Sequence, residues 1–120
     1  MSVQNNSIEE RVELSMLYDF YGALLKENQR RMFEASILED YNLSEIAEDE
    51  GITRQGVHDA IKRAGRQLRK YEEKLGLVAK FQRQKQQVKL LHEQLNLMNV
   101  PSDDERWQEI FSILSDILDE

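Results

Sequence analysis

Arg54, Gln55, His58, Asp59 and Lys62 have the side chains that can exchange hydrogen bonds with base edges. An arginine or lysine suits guanine, a glutamine suits adenine, and a carboxylate suits the amino group of cytosine. Their spacing gathers them on one side of a helix, so the chemistry they offer is recognition. Arg63, Arg66 and Lys70 follow at the same periodicity, and their charge suits phosphates or the acidic surface of a protein. Asp59 is the discordant member, because a carboxylate that finds no cytosine is repelled by the backbone. Other chemistry is poorly provided for. Gly51 and Gly56 have phosphate-loop spacing, but Val57 and His58 stand where that loop needs lysine and serine or threonine. His58 and His92 lack neighbouring ligand spacing, so no metal or other cofactor is expected. No serine sits in a nucleophile elbow, and Asp103, Asp104 and Glu105 suit the first turn of a helix better than paired-carboxylate catalysis. The expectation is a binding protein and not an enzyme.

The elements that must hold these residues can be read from the neighbouring sequence. Leu43 to Lys62 has the pattern of a helix-turn-helix, in which a second helix is offered to the DNA major groove. Ala47 is small where the helices cross, Gly51 supplies a left-handed turn residue, and Thr53 is placed to cap the second helix. Ile46, Ile52, Val57 and Ile61 are the expected contacts between the pair. With no stop signal before Gly76, the second helix is expected to run from about Thr53 to Leu75. That is longer than groove contact requires.

Upstream, Ser7 to Glu10 reads as a capping box for a first helix with apolar positions at Ile8, Val12, Met16, Leu17, Phe20, Tyr21, Leu24 and Leu25. Met32, Phe33, Ile37, Leu38 and Tyr41 mark a second helix ending near Asn42. Downstream, Phe81, Val88, Leu91, Leu95 and Met98 keep a three-four spacing that forms a candidate homodimer face, unless the same face is covered within one chain. Val100 and Pro101 break that helix, Ser102 to Glu105 open the last one, and Trp107, Ile110, Phe111, Leu114, Ile117 and Leu118 form its apolar stripe. The expected architecture is all-α, about six helices in a single domain over 1–120. Its helix-turn-helix core spans about 27–75, and the C-terminal helices about 77–119.

Charge is distributed in blocks. Of 120 residues, 1–50 hold 4 basic and 12 acidic side chains, 51–90 hold 11 and 3, and 91–120 hold 1 and 8. The net charge of -7 therefore conceals a basic centre that can meet phosphate while the flanks repel it, or that the flanks neutralise inside the fold. Absence of cysteine fits a reducing compartment, and no apolar run approaches the roughly 18 residues of a membrane span, so a cytoplasmic protein without membrane insertion is expected. Tyr71 and Phe81 lie among the basic residues, where stacking on unpaired bases competes with a role in the core.

The helix-turn-helix resembles region 4 of bacterial sigma factors over about 35 residues. A broader resemblance is carried by Tyr18 to Leu25, Leu38 to Glu48, Thr53 to Val57 and Tyr71 to Leu75. These segments look like the YlxM family of small bacterial helix-turn-helix proteins, and the run Asp19-Phe20-Tyr21-Gly22 is their most specific part. The resemblance implies an all-helical DNA-binding protein encoded beside signal recognition particle genes. It implies a regulator of that targeting pathway or an accessory that binds the particle's GTPase or RNA. It brings no catalytic residues.

Overall fold

The computed structural model describes residues 8–98 and 103–118. Among them are six α-helices and no strand: α1 (Ile8–Tyr21), α2 (Glu27–Phe33), α3 (Leu43–Glu50), α4 (Arg54–Leu75), α5 (Leu77–Leu97) and α6 (Glu105–Leu118). The all-α expectation holds. No described helix is long and apolar enough to cross a membrane. The expected cap at Ser7, the break at Val100 and Pro101, and the role of Ser102 lie outside the described residues. The chain forms two compact units, Met1–Val78 and Ala79–Glu120.

In the first unit, α4 lies between two apolar clusters. Ala64 and Leu68 face Leu14, Leu17 and Tyr21 of α1, together with Leu25, Phe33, Ile37 and Val78. Two turns nearer its start, Val57 packs with Met32, Ile46 and Ala47. Ile61 is half-buried and touches both clusters. The buried stripe of α1 is therefore Leu14, Leu17 and Tyr21, while Ile8, Val12, Phe20 and Leu24 remain exposed. The apolar positions of this helix fall on more than one face, and the sequence pattern includes Val12 while it omits Leu14, which is buried. Ile52, expected between the helix-turn-helix pair, is likewise exposed.

The first helix ends at Tyr21 and is followed by a single 3₁₀ turn, Gly22–Leu24, instead of continuing to Leu25. The second also stops early. Its continuation, Glu34–Leu38, is a π-helix, and Asp40 then adopts φ 60, which ends the helix with the Tyr41 N–H donating back to the Ala35 carbonyl at 2.9 Å. Leu38 and Tyr41 are consequently exposed instead of buried. Arg11 reaches across from α1 to close this terminus, donating to the carbonyls of Ser36 (3.3 Å) and Ile37 (3.1 Å) and to Asp40 (3.2 Å). A cation at the negative end of a helix dipole is the favourable arrangement.

Tyr21 fixes the corner between α4 and α5. Gly76, at φ 62, ends α4 by donating to the Glu72 carbonyl at 2.8 Å. The first two N–H groups of α5 would then lack acceptors. Leu77 N–H donates to the Tyr21 hydroxyl at 3.1 Å, Val78 N–H donates to Glu72 Oε1 at 3.0 Å, and the Tyr21 hydroxyl donates to the same carboxylate oxygen at 2.6 Å.

In the second unit, Asp104 caps α6, accepting from Arg106 N–H at 2.9 Å. Trp107 stacks on Phe111 with ring centroids 5.6 Å apart, and His92 meets Phe111 edge-on at 5.0 Å. The apolar stripe expected on α6 divides: Trp107, Phe111, Leu114 and Leu118 are at least half-buried, whereas Ile110 and Ile117 are exposed. The candidate dimer face divides too. Phe81, Val88 and Leu95 are half-buried, and Leu91 and Met98 are exposed.

Candidate nucleic-acid interface

Local chemistry fixes both ends of the turn that offers α4 to solvent. Asn42 accepts from Glu45 N–H at 2.8 Å while the Glu45 carboxylate accepts from Asn42 N–H at 3.0 Å, a complete capping box for α3. Gly51, at φ 71, ends that helix, and its N–H donates to Ala47 at 2.9 Å. The Thr53 hydroxyl then accepts from Gly56 N–H at 3.0 Å and starts α4. An arginine at glutamate distance adds a tether: Arg31 of α2 binds Glu50 at the end of α3 through two hydrogen bonds, 2.8 and 3.1 Å. The guanidinium holds the Glu50 carboxyl below the usual carboxylate range.

Burial of Val57, Ala64 and Leu68 fixes which side of α4 is outward. Gln55, Asp59, Lys62 and Arg66 follow one another along the exposed crest, and Arg63 and Lys70 lie on one shoulder. Arg54 and His58 lie on the other. Among the described residues, Arg54, Lys62, Arg66 and Lys70 make no ion pair or hydrogen bond with the chain. These four cations keep their full hydrogen-bonding capacity for a ligand.

Two members of the expected reading set are less available. Gln55 Nε2 donates to Asp59 Oδ1 at 2.9 Å, and His58 Nδ1 lies 3.5 Å from that oxygen. The Gln55 amide first, and the His58 ring second, hold the Asp59 carboxyl below its ordinary value, so the crest retains one negative charge at neutral pH. The His58 side chain is only 22% exposed, and its Nε2 is buried without a hydrogen-bond partner. His58 is therefore a wall residue, where the sequence placed it outward.

That wall belongs to a groove of about 530 Å³ between α4, α1 and the segment around Tyr41. Arg54, Lys62 and Arg66 line one side of it. Its other cations have internal work. Arg11 closes α2 as described above, and Arg69 is held by Glu10 (3.4 Å) and Glu13 (3.1 Å), which tie α4 to α1. Sequence spacing gave no signal for either, because their partners lie far away along the chain. Tyr71 is half-buried and packs on Tyr21 with centroids 5.9 Å apart, which makes it a core residue.

From Arg54 to Lys70 the strip is about 24 Å long at 1.5 Å per residue. A B-form major groove is about 12 Å wide, roughly half the length of this strip.

A family model described as "Putative helix-turn-helix protein, YlxM / p13 like" matches residues 8–110. The UPF0122 protein of Caldanaerobacter subterraneus subsp. tengcongensis is 52% identical over 80 residues, 67% of this chain and 68% of that one. A UPF0122 protein of Desulforamulus reducens is 47% identical over 92 residues, covering 77% and 76%. The UPF0122 protein of Geobacillus kaustophilus is 42% identical over 89 residues, covering 74% and 81%. With the capped helix-turn-helix in place and the match running from α1 into α6, the chain belongs to the YlxM / p13-like helix-turn-helix family.

Proposed function

We propose that the protein binds duplex DNA through α4 and acts as a regulator in the cytoplasm. In this reading Thr53, Arg54, Gln55, Asp59 and Lys62 face the major groove or its edge, His58 backs them from the wall of the groove beside α1, and Arg63, Arg66 and Lys70 serve the backbone. The observation that carries it is the run of four cations without internal partners along the exposed side of a capped recognition helix. Arg54 and Lys62 are the base-edge candidates with the most freedom, because Gln55 already donates to Asp59. Three phosphate contacts, from Arg63, Arg66 and Lys70, give a salt slope that lowers affinity roughly 40-fold between 50 and 200 mM.

Asp59 favours a second reading. A carboxylate on the crest that also occupies the neighbouring amide narrows base recognition, which suits backbone contact with a folded RNA. With the family resemblance, that RNA is the one of the signal recognition particle, and the protein is then an accessory of the particle, its GTPase being the other surface available. Fluorescence anisotropy of the labelled protein against fragmented genomic DNA and against reconstituted particle, at both salt concentrations, separates the two. Salt-steep binding to DNA that Arg54→Ala with Lys62→Ala weakens at least tenfold supports the first. Binding to the particle alone replaces it with the second, and DNA binding indifferent to both substitutions rejects α4 as the interface.

A further inference from the structure

The second unit buries almost nothing. Among its described residues Leu114 is the one side chain that reaches the core, at 6% exposure. A two-helix hairpin has a single line of contact, and here that line is formed by Trp107, Phe111 and Leu114 of α6 and by His92 of α5, on whose flank Phe81, Val88 and Leu95 also lie. His92 and Phe111 stand equally far from the connection, so the two helices run antiparallel.

Each helix carries a second apolar line. On α6 it is Ile110 (39% exposed), Ile113 (52%) and Ile117 (42%), at the three-four spacing of a packing seam. On α5 it is Leu91, 51% exposed; Met98, 56% exposed, continues it one heptad on, just past the helix end at Leu97. At 3.6 residues per turn, each line stands about a quarter-turn from the contact line of its own helix, in the same rotational sense along the chain. Because the helices run in opposite directions, that shared sense brings both lines to the same side of the hairpin. The result is one continuous apolar face made from two helices, which a monomer leaves in water.

We propose that this face binds the same face of a second copy of the chain, giving a two-fold four-helix bundle in which α5 lies over α6 of the other copy. Charge selects that occupant and that arrangement. Lys80, Arg83, Lys85 and Lys89 make α5 basic against a single acid, Glu93, whereas Glu105, Glu109 and Asp116 make α6 acidic against a single base, Arg106. Stacking α5 on α5 sets like charges together, while the crossed pairing sets opposite charges together twice, once for each symmetry-related half. A two-fold axis parallel to the helices achieves this and keeps every neighbouring pair antiparallel. Leu91 then comes level with Ile110 and Ile113 of the other copy. Such a dimer carries two α4 helices, which suits a DNA site with two halves; the pairing itself does not depend on DNA being the ligand.

The full chain should sediment as a dimer at 10 to 50 micromolar. Ile113→Glu should raise the dimer dissociation constant at least about 100-fold, because it sets a charged side chain against Leu91 inside an apolar seam. Unchanged helical circular dichroism shows that the variant still folds. Gln86→Glu, about 140° round α5 from Leu91 and exposed, should leave the dimer intact. The chain has no cysteine, so Leu91→Cys and Ile113→Cys can be mixed: an intermolecular cross-link in the mixture, and in neither variant alone, reports α5 over α6. A monomer at 50 micromolar, a dimer that survives Ile113→Glu, or self-linking of Leu91→Cys overturns the proposal.

Discussion

Glycine at two positions has opposite consequences, and the difference is one of space. A Cβ on Gly22 would lie 2.6 Å from the Tyr18 ring, and that ring cannot easily give way. It stacks on Phe33 with centroids 5.3 Å apart, and its hydroxyl donates to Glu34. Gly22→Ala should therefore destabilise the fold by about 1–3 kcal/mol, the range for overpacking. Gly65 is buried in α4, yet a Cβ there would meet only Leu14 Cδ2, at an ordinary 3.6 Å. Gly65→Ala removes a mid-helix glycine and should stabilise by up to about 1 kcal/mol. Urea midpoints shifting in opposite directions would bear this out, and a neutral Gly22→Ala would refute the close-approach argument. Tyr18 makes a second prediction possible. Burial first, then its bond to the Glu34 carboxylate, push the phenol from 10.0 to about 12. Its folded value is raised, so the stabilisation is complete below pH 10 and is lost as pH rises through about 12. Between pH 9 and 11 the wild type should lose more stability than Tyr18→Phe, and equal losses would deny Tyr18 that role.

Among the helices, what could be read from sequence was what neighbouring residues decide. Gly51, and Thr53 before Gly56, are local devices, so the end of α3 and the start of α4 follow from their order in the chain; the Asn42 and Glu45 box is equally local, although the sequence pattern marks Asn42 only as the end of the second helix. The buried stripe of α1 was misread because Val12 and Leu14 are both apolar, and only packing against Ala64 and Leu68 decides between them. The groove beside α4 was invisible for a related reason: its walls depend on Arg11 reaching Asp40 and on Arg69 reaching Glu13, contacts without periodicity. The Asp19-Phe20-Tyr21-Gly22 run does have a physical account. Tyr21 supplies the acceptor for α5 at Leu77 N–H, and Gly22 leaves room for Tyr18. Tyr21→Phe removes that acceptor and a donor to Glu72, and should cost about 1–3 kcal/mol. Hydrogen exchange gives the sharper test. The Leu77 amide should lose protection more than the Val78 amide, which keeps Glu72 Oε1. Equal loss at both would mean that the corner opens as a unit and that Tyr21 does not cap it.

Across the whole molecule the charge blocks are partly consumed by the fold, and this decides how strongly it can hold a polyanion. Acids of the first 50 residues restrain their own cations and one from α4: Glu50 holds Arg31, Asp40 holds Arg11, and Glu10 and Glu13 hold Arg69. The basic centre thereby loses Arg69 and keeps the strip from Arg54 to Lys70. A count of cations in the sequence overstates the phosphate contacts, since it includes those already bound internally. The salt slope measures the available number directly, because each neutralised phosphate contributes about 0.9 to it on duplex DNA. Replacing Arg66 and Lys70 together with alanine should lower the slope by about 2 and weaken binding to all DNA sequences alike. Arg69→Ala should leave the slope unchanged while loosening α1 from α4, seen as a lower thermal midpoint. Asp59→Asn should raise affinity, because it removes the negative charge from the crest and leaves an oxygen to accept from Gln55. A slope that falls with Arg69→Ala and not with the Arg66 and Lys70 pair would place the polyanion in the groove against α1 instead of along the crest of α4.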